Sequence, residues 1–169
     1  MYGIHPDTVG EFAKGDCNMK WSKQARLLGQ AVILLLSASS AASVLAAEKV
    51  VVYKSPACGC CSQWVEHMEK NGFSVEVHKV RNVEPFRQRF GVPDSMASCH
   101  TALVGGYAIE GHVPAADVKR LLREKPKARG IAVPGMVSGS PGMEQGSRHD
   151  PYNVMLFNAN GQAKVYAAH

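Results

Sequence analysis

Three thiols stand within four residues at Cys58-Gly59-Cys60-Cys61. The apolar β-branched run Val50-Val51-Val52-Tyr53 precedes them, and Ser62-Gln63-Trp64-Val65 follows with a helical pattern. Thiols this dense serve disulfide exchange or soft-metal binding. Either use requires a backbone that holds the sulfur atoms together, here at the junction of a strand and a helix. A fourth thiol, Cys99, sits beside His100 further along the chain.

With 46% apolar and 20% charged residues, the 169-residue chain has a globular composition with room for one core. Its first third does not belong to that core. Lys20, Lys23 and Arg26 lead into an apolar stretch at residues 27–36, and small residues run to Val44-Leu45-Ala46-Ala47. A positive n-region, a short h-region and a small-residue exit mark a secretory signal peptide. The apolar run is too short to span a bilayer, which favours cleavage, after Ala46 or Ala47, over a retained anchor. Residues 1–18 are polar and precede a second methionine that begins a signal of ordinary form, so Met19 is the expected start. The division is a leader and signal over residues 1–47 and a single domain over residues 48–169. The first part carries four basic and three acidic residues, so fifteen of nineteen basic and eleven of fourteen acidic groups remain in the second. They form no Lys/Arg block with interleaved aromatics, so nucleic acid is not an expected partner, and no membrane is expected after cleavage. Cys17 leaves with the signal, and four thiols remain in an exported chain, where free cysteines are ordinarily oxidised or metal-bound.

Residues 49–53 read as a buried strand, broken by Ser55-Pro56. Trp64, Val65 and Met68 recur at helical spacing over residues 61–71, ending at Asn71-Gly72. Residues 74–79 alternate as a second strand, and Val83, Phe86 and Phe90 mark a short helix stopped by Gly91-Val92-Pro93. Residues 101–104 and 107–110 form a hairpin about Gly105-Gly106. Pro114 suits a first helical position, and Val118, Leu121 and Leu122 make the buried stripe of a helix ending near Glu124. Residues 131–146, rich in Gly, Pro and Ser with Met136 and Met143, read as a long functional or mobile loop. A terminal β-hairpin follows over residues 152–166.

The order β-α-β-α-β-β-α is α/β, and with Cys58-x-x-Cys61 at the first strand–helix junction it resembles the thioredoxin/glutaredoxin fold over residues 49–125. Val92-Pro93 lies before the third strand, as a Val–cis-Pro does in that fold, although residues 94–100 are inserted between them.

In a thiol-exchange reading, the helix N-terminus lowers the pKa of Cys58 as nucleophile and Cys61 resolves the mixed disulfide. Cys60 is a competing thiol in that scheme. Metal binding accommodates it more naturally: Cys58, Cys60 and Cys61 share one loop, and the fold resemblance brings Cys99 and His100 to the same place. Four thiolates and an imidazole suit copper(I) or zinc. The chain lacks the paired knuckles of a mononuclear structural zinc site, and the crowding of thiolates favours copper(I), in a site of one or several ions. A lone histidine after a strand is more often structural than a ligand, so His112 is a secondary candidate. Met136 and Met143 rank below it. His67 and His78 are expected at the surface.

Four stretches together are similar to the CopG-like family. They are Tyr53-Lys54-Ser55-Pro56-x-Cys58-Gly59-Cys60-Cys61-x-x-Trp64, Ser98-Cys99-His100-Thr101-Ala102, Gly106-Tyr107-x-x-Glu110-Gly111-His112-Val113-Pro114-Ala115, and Pro134-Gly135-Met136-x-x-Gly139-Ser140-Pro141-Gly142-Met143-Glu144. The resemblance implies a small exported bacterial protein of thioredoxin-like fold, with a periplasmic copper site on the cysteine motif and the Cys-His pair. Val137 departs from it, since the family commonly has proline there. The expectation is a periplasmic protein that sequesters, transfers or redox-cycles copper for metal tolerance, exchanging it with other periplasmic copper-handling proteins. Thiolates would hold copper(I) and imidazoles would help accommodate copper(II). The alternatives are a thiol–disulfide oxidoreductase using Cys58 and Cys61, and a structural zinc or disulfide module without turnover.

Overall fold

The computed structural model describes residues 47–169. The leader, the signal segment, Met19 and Cys17 lie outside the described residues. The elements are β1 (Lys49–Lys54), α1 (Gly59–Lys70), β2 (Ser74–Lys79), α2 (Glu84–Arg89), a 3-10 turn (Asp94–Met96), β3 (His100–Val104), β4 (Tyr107–Glu110), α3 (Ala115–Glu124), β5 (Gly130–Ala132), β6 (Asn153–Phe157) and β7 (Ala163–Ala168). The strands form one seven-stranded mixed sheet in the order β2-β1-β3-β4-β5-β6-β7. β1 runs parallel to β2 and antiparallel to β3, β3 is antiparallel to β4, and β4 is parallel to β5. β5, β6 and β7 are joined antiparallel.

The period-two pattern sorts side chains onto two faces. Val50 and Val52 of β1, Ala102 and Val104 of β3, Ile109 of β4 and Ile131 of β5 join one buried cluster with the apolar stripes of α1 and α3. Trp64, Val65 and Met68 of α1 recur at the spacing that puts them on one helical face. Trp64 is fully buried, with its indole N–H donating to the Val113 carbonyl at 2.9 Å. Ala108, Ala132 and Phe157 point to the opposite face, where Phe90 and Val92 close a second cluster around Tyr53, Phe86 and Leu103. β2 is an edge strand that stays largely exposed.

Three expectations about the backbone are corrected. Residues 131–146 do not form one long loop, because their start is β5, which pairs with both β4 and β6. A three-residue strand is too short to leave a periodic signal; its neighbours define it. The remainder is bonded internally, with Gly139 N–H to the Met143 carbonyl at 3.0 Å and Met143 N–H to the Ser140 carbonyl at 2.8 Å. The Val92–Pro93 bond is trans, since no peptide bond among the described residues is cis. Pro93 instead starts the 3-10 turn that fills the inserted segment, accepting from Met96 N–H. Pro114 is the N-cap of α3 and not its first residue. Among the described residues no helix is long and apolar enough to cross a membrane.

His67 is half-buried and not a surface residue, and its Nε2 accepts the Ala115 N–H at 3.0 Å. It thereby caps α3 from a neighbouring helix, where Pro114 has no side-chain donor or acceptor to offer. Burial is the largest cause pulling its pKa below 6.5. The folded state therefore binds fewer protons than the unfolded chain, and stability present above the unfolded pKa is lost as pH falls through and below that value. His100 and His112 are shifted in the same direction. Chemical denaturation of the metal-free protein should show stability declining from pH 7 to pH 5. His67→Ala should cost about 1 kcal/mol at pH 7 and leave a shallower acid-side decline. An unchanged slope would show that the cap does not contribute.

Candidate metal centre

The thiol loop follows from the end of β1. Cys58 N–H bonds to the Ser55 carbonyl at 3.2 Å, and Cys58 then serves as N-cap of α1, its sulfur 3.3 Å from Cys61 N–H. Cys58 and Cys61 are joined as a disulfide, and Cys60 and Cys99 are free. Cys60 Sγ lies 3.4 Å from Cys58 Sγ. Cys61 is fully buried, its sulfur 3.7 Å from the Cys99 carbonyl oxygen.

The pairing of β3 with β1 sets His100 opposite Lys54, which places Cys99, one residue earlier, at the thiol loop. Cys99 Sγ lies 3.0 Å from His112 Nε2 and 3.4 Å from His100 Nδ1. His112 comes from the segment just after β4, and its Nδ1 is 2.8 Å from the Pro141 carbonyl. A carbonyl only accepts, so Nδ1 carries the proton and Nε2 keeps a lone pair facing the Cys99 sulfur. His100 is tilted against Trp64 at 4.4 Å and edge-on to His112 at 5.0 Å.

Both imidazoles are fully buried. Burial holds the pKa of His100 well below the usual range, reinforced by His112 and Lys54, and burial also lowers His112. Each is therefore neutral at pH 7, the form that donates to a metal. Burial, aided by the neighbouring Cys60, pushes the Cys99 thiol up to about 11. It carries its proton at neutral pH, and a metal ion binding there has to displace it.

The donor set fits a soft metal. The sulfur atoms of Cys58, Cys60, Cys61 and Cys99 all lie within 4.8 Å of one another, and so do the ligating atoms of Cys99, His100 and His112. Two sulfurs on one ion, each about 2.3 Å from it, stand no farther apart than that. Cys99 belongs to both groups. His100 Nε2 is in addition a buried polar atom without a hydrogen-bond partner. While the disulfide persists, Cys58 and Cys61 have no lone thiolate to offer, and Cys60, Cys99 and the imidazoles are the remaining donors.

The sequence-derived candidates Cys58, Cys60, Cys61, Cys99, His100 and His112 are thus brought together. Met136 is 61% exposed and Met143 half-buried, on a loop that walls the site. Gly135 N–H bonds to the Ala97 carbonyl at 3.0 Å, and the Ser98 hydroxyl donates to the Gly135 carbonyl. At Gly142, with φ of +84°, a Cβ would stand 2.7 Å from both the Cys60 carbonyl oxygen and Trp64 N. Only glycine lets this loop lie against the first turn of α1. Sequence reasoning gave no role to Lys54, which is buried beside His100 with its ammonium 3.0 Å from the Ser55 carbonyl. A lysine amid Val50, Val52 and Tyr53 was the available signal.

A family model described as a protein of unknown function, DUF411, matches residues 96–143, which include Cys99, His100, His112, Met136 and Met143. Two solved structures of copper resistance protein CopG are similar to the chain. Form 2 is 46% identical with a TM-score of 0.70, covering 73% of this chain and 98% of that one. Form 1 is 47% identical with a TM-score of 0.68, covering 72% and 96%. No curated protein gives a match.

Gly142→Ala should lift the loop from α1. The expected result is a loss of about 1–3 kcal/mol in stability and faster alkylation of the free thiol Cys60, measured by denaturant melts and mass spectrometry. Wild-type stability and thiol reactivity would contradict the packing role given to this glycine.

Proposed function

The chain belongs to the CopG-like family, and on that footing we propose that it is a periplasmic copper-binding protein with a thiolate-rich copper(I) site. Export by a cleaved signal over residues 1–47 leaves the working domain, residues 48–169. The strand order β2-β1-β3-β4, with β2 parallel and β3 and β4 successively antiparallel, supports a thioredoxin-like scaffold beneath it. The role is copper sequestration, transfer or redox cycling for metal tolerance, in exchange with other periplasmic copper-handling proteins.

The observation that carries the reading is the position of Cys99. Its sulfur is shared by the four-thiol group and by the pair of buried imidazoles, within 4.8 Å in each case. Reduced Cys58 and Cys61, with Cys60 and Cys99, supply the soft donors for copper(I). His100 and His112 supply the harder donors that copper(II) also takes. A sulfur common to two donor groups suits bridging between ions, so the site has room for more than one. His112, with its proton held on Nδ1 by Pro141, presents Nε2 in a fixed orientation, the outer-shell arrangement that metal-ligating histidines ordinarily show. Met136 and Met143, on the loop that walls the site, are the auxiliary thioether donors of this reading.

One observation favours a second reading. The Cys58–Cys61 disulfide caps α1, where amides stabilise a thiolate, and that is what a thiol–disulfide oxidoreductase requires. The two readings separate on Cys60 and Cys99. Insulin reduction that survives Cys60→Ser and Cys99→Ser would support the oxidoreductase.

The deciding test is anaerobic copper(I) titration of the reduced protein against a chromophoric chelator, with zinc(II) as competitor. Copper(I) should bind and displace zinc, and Cys99→Ser should weaken it at least about 100-fold. Copper(I) affinity unchanged in the Cys60→Ser, Cys99→Ser double variant would defeat the proposal. Preferential zinc binding, with unfolding on its removal, would point to the structural module instead.

A further inference from the structure

Residues 97–99 lie between the 3-10 turn and β3, outside regular structure, yet one of them carries the thiol on which both donor groups converge. Something other than the sheet ladder has to fix that thiol. Glu110 is fully buried on β4, opposite Thr101 of β3. One of its oxygens accepts from Ser98 N–H at 2.7 Å and from Arg87 Nε at 3.0 Å. The other accepts the Thr101 hydroxyl at 2.6 Å. Arg87, only 9% exposed on α2, turns Nη2 to the Ser98 carbonyl at 2.7 Å and Nη1 to Glu84. The ion pair therefore grips Ser98 by both its backbone N–H and its backbone C=O. Opposite the grip, Gly111 brings the backbone so close that a Cβ there would be 2.5 Å from Ser98 Oγ.

We propose that the Arg87–Glu110 ion pair is a positioning device for the metal centre, clamping Ser98 so that the neighbouring Cys99 thiol is held toward His112 and the thiol loop. Neither residue touches the donor atoms; they act through the backbone of residue 98. The guanidinium is suited to this because its planar fork serves Glu110, Ser98 and Glu84 at once, whereas an ammonium is a point charge without that fixed geometry. A buried ion pair is by itself weak evidence for stability, since desolvation offsets the attraction. Its placement on an irregular segment that bears a donor gives it a function. The inference rests on the copper reading for its purpose, but the geometry it concerns is present without metal.

The test compares Arg87→Lys with wild type on the purified protein, using two readouts. The first is iodoacetamide alkylation of the metal-free, non-reduced protein, with Cys60 and Cys99 quantified separately by mass spectrometry. Cys99 should react about tenfold faster in the variant, with Cys60 unchanged. The second is copper(I) affinity after reduction, which should fall about 10–100-fold, the range that loss of an outer-shell partner ordinarily costs. If Arg87→Lys does not fold by circular dichroism, the double variant Arg87→Met, Glu110→Gln removes both charges together and carries the same comparison. In either folded variant, wild-type reactivity of Cys99, or equal acceleration of Cys60 and Cys99, would overturn the clamp. A wild-type protein that fails to bind copper(I) would defeat the copper reading alone, and the alkylation comparison would still judge the clamp.

Discussion

The antiparallel pairing of β3 with β1 is the constraint on which the site depends. It sets His100 opposite Lys54, at the point where β1 gives way to the thiol loop. Because side chains alternate across a sheet, a slip of one residue would send His100 to the face occupied by Tyr53 and Leu103 and displace Cys99 from the thiol loop. The buried identities of Ala102 and Val104 resist that slip, since each would exchange the core it shares with Val50 and Val52 for the opposite face. Core packing and donor placement are in this sense one interaction.

Buried groups around the thiols are held in defined protonation states. His112 keeps its proton on Nδ1 because the Pro141 carbonyl can only accept, and burial keeps both imidazoles neutral. The Cys99 thiol, raised to about 11, holds its proton until something displaces it. The Cys58–Cys61 disulfide sets how many sulfurs are available. Proton release and disulfide reduction are thus both linked to any metal binding at the full set of thiolates.

Much of the fold was legible in the sequence because its signals are local. The β-branched run before Cys58, the stripe of Trp64, Val65 and Met68, the Gly105-Gly106 turn and the stripe of α3 each lie within a single element. The thiol and imidazole candidates were legible because their chemistry is rare. β5 was not, because three residues carry no period and only β4 and β6 define it. His67 looks like a surface residue in the sequence because its partner, the Ala115 N–H, is distant along the chain. Arg87 and Glu110 carry no local signal for the same reason: a buried charge looks like a surface charge until the residues that answer it are known. The leader and signal are read from sequence alone.

The central claim is that a copper ion here is held mainly by sulfur, with Cys99 shared between thiols and imidazoles. X-ray absorption at the copper edge, on the reduced protein loaded anaerobically with copper(I), tests it most directly. The account predicts a first shell dominated by sulfur that loses sulfur scattering in Cys99→Ser. A first shell of nitrogen and oxygen, or one untouched by that substitution, would contradict it.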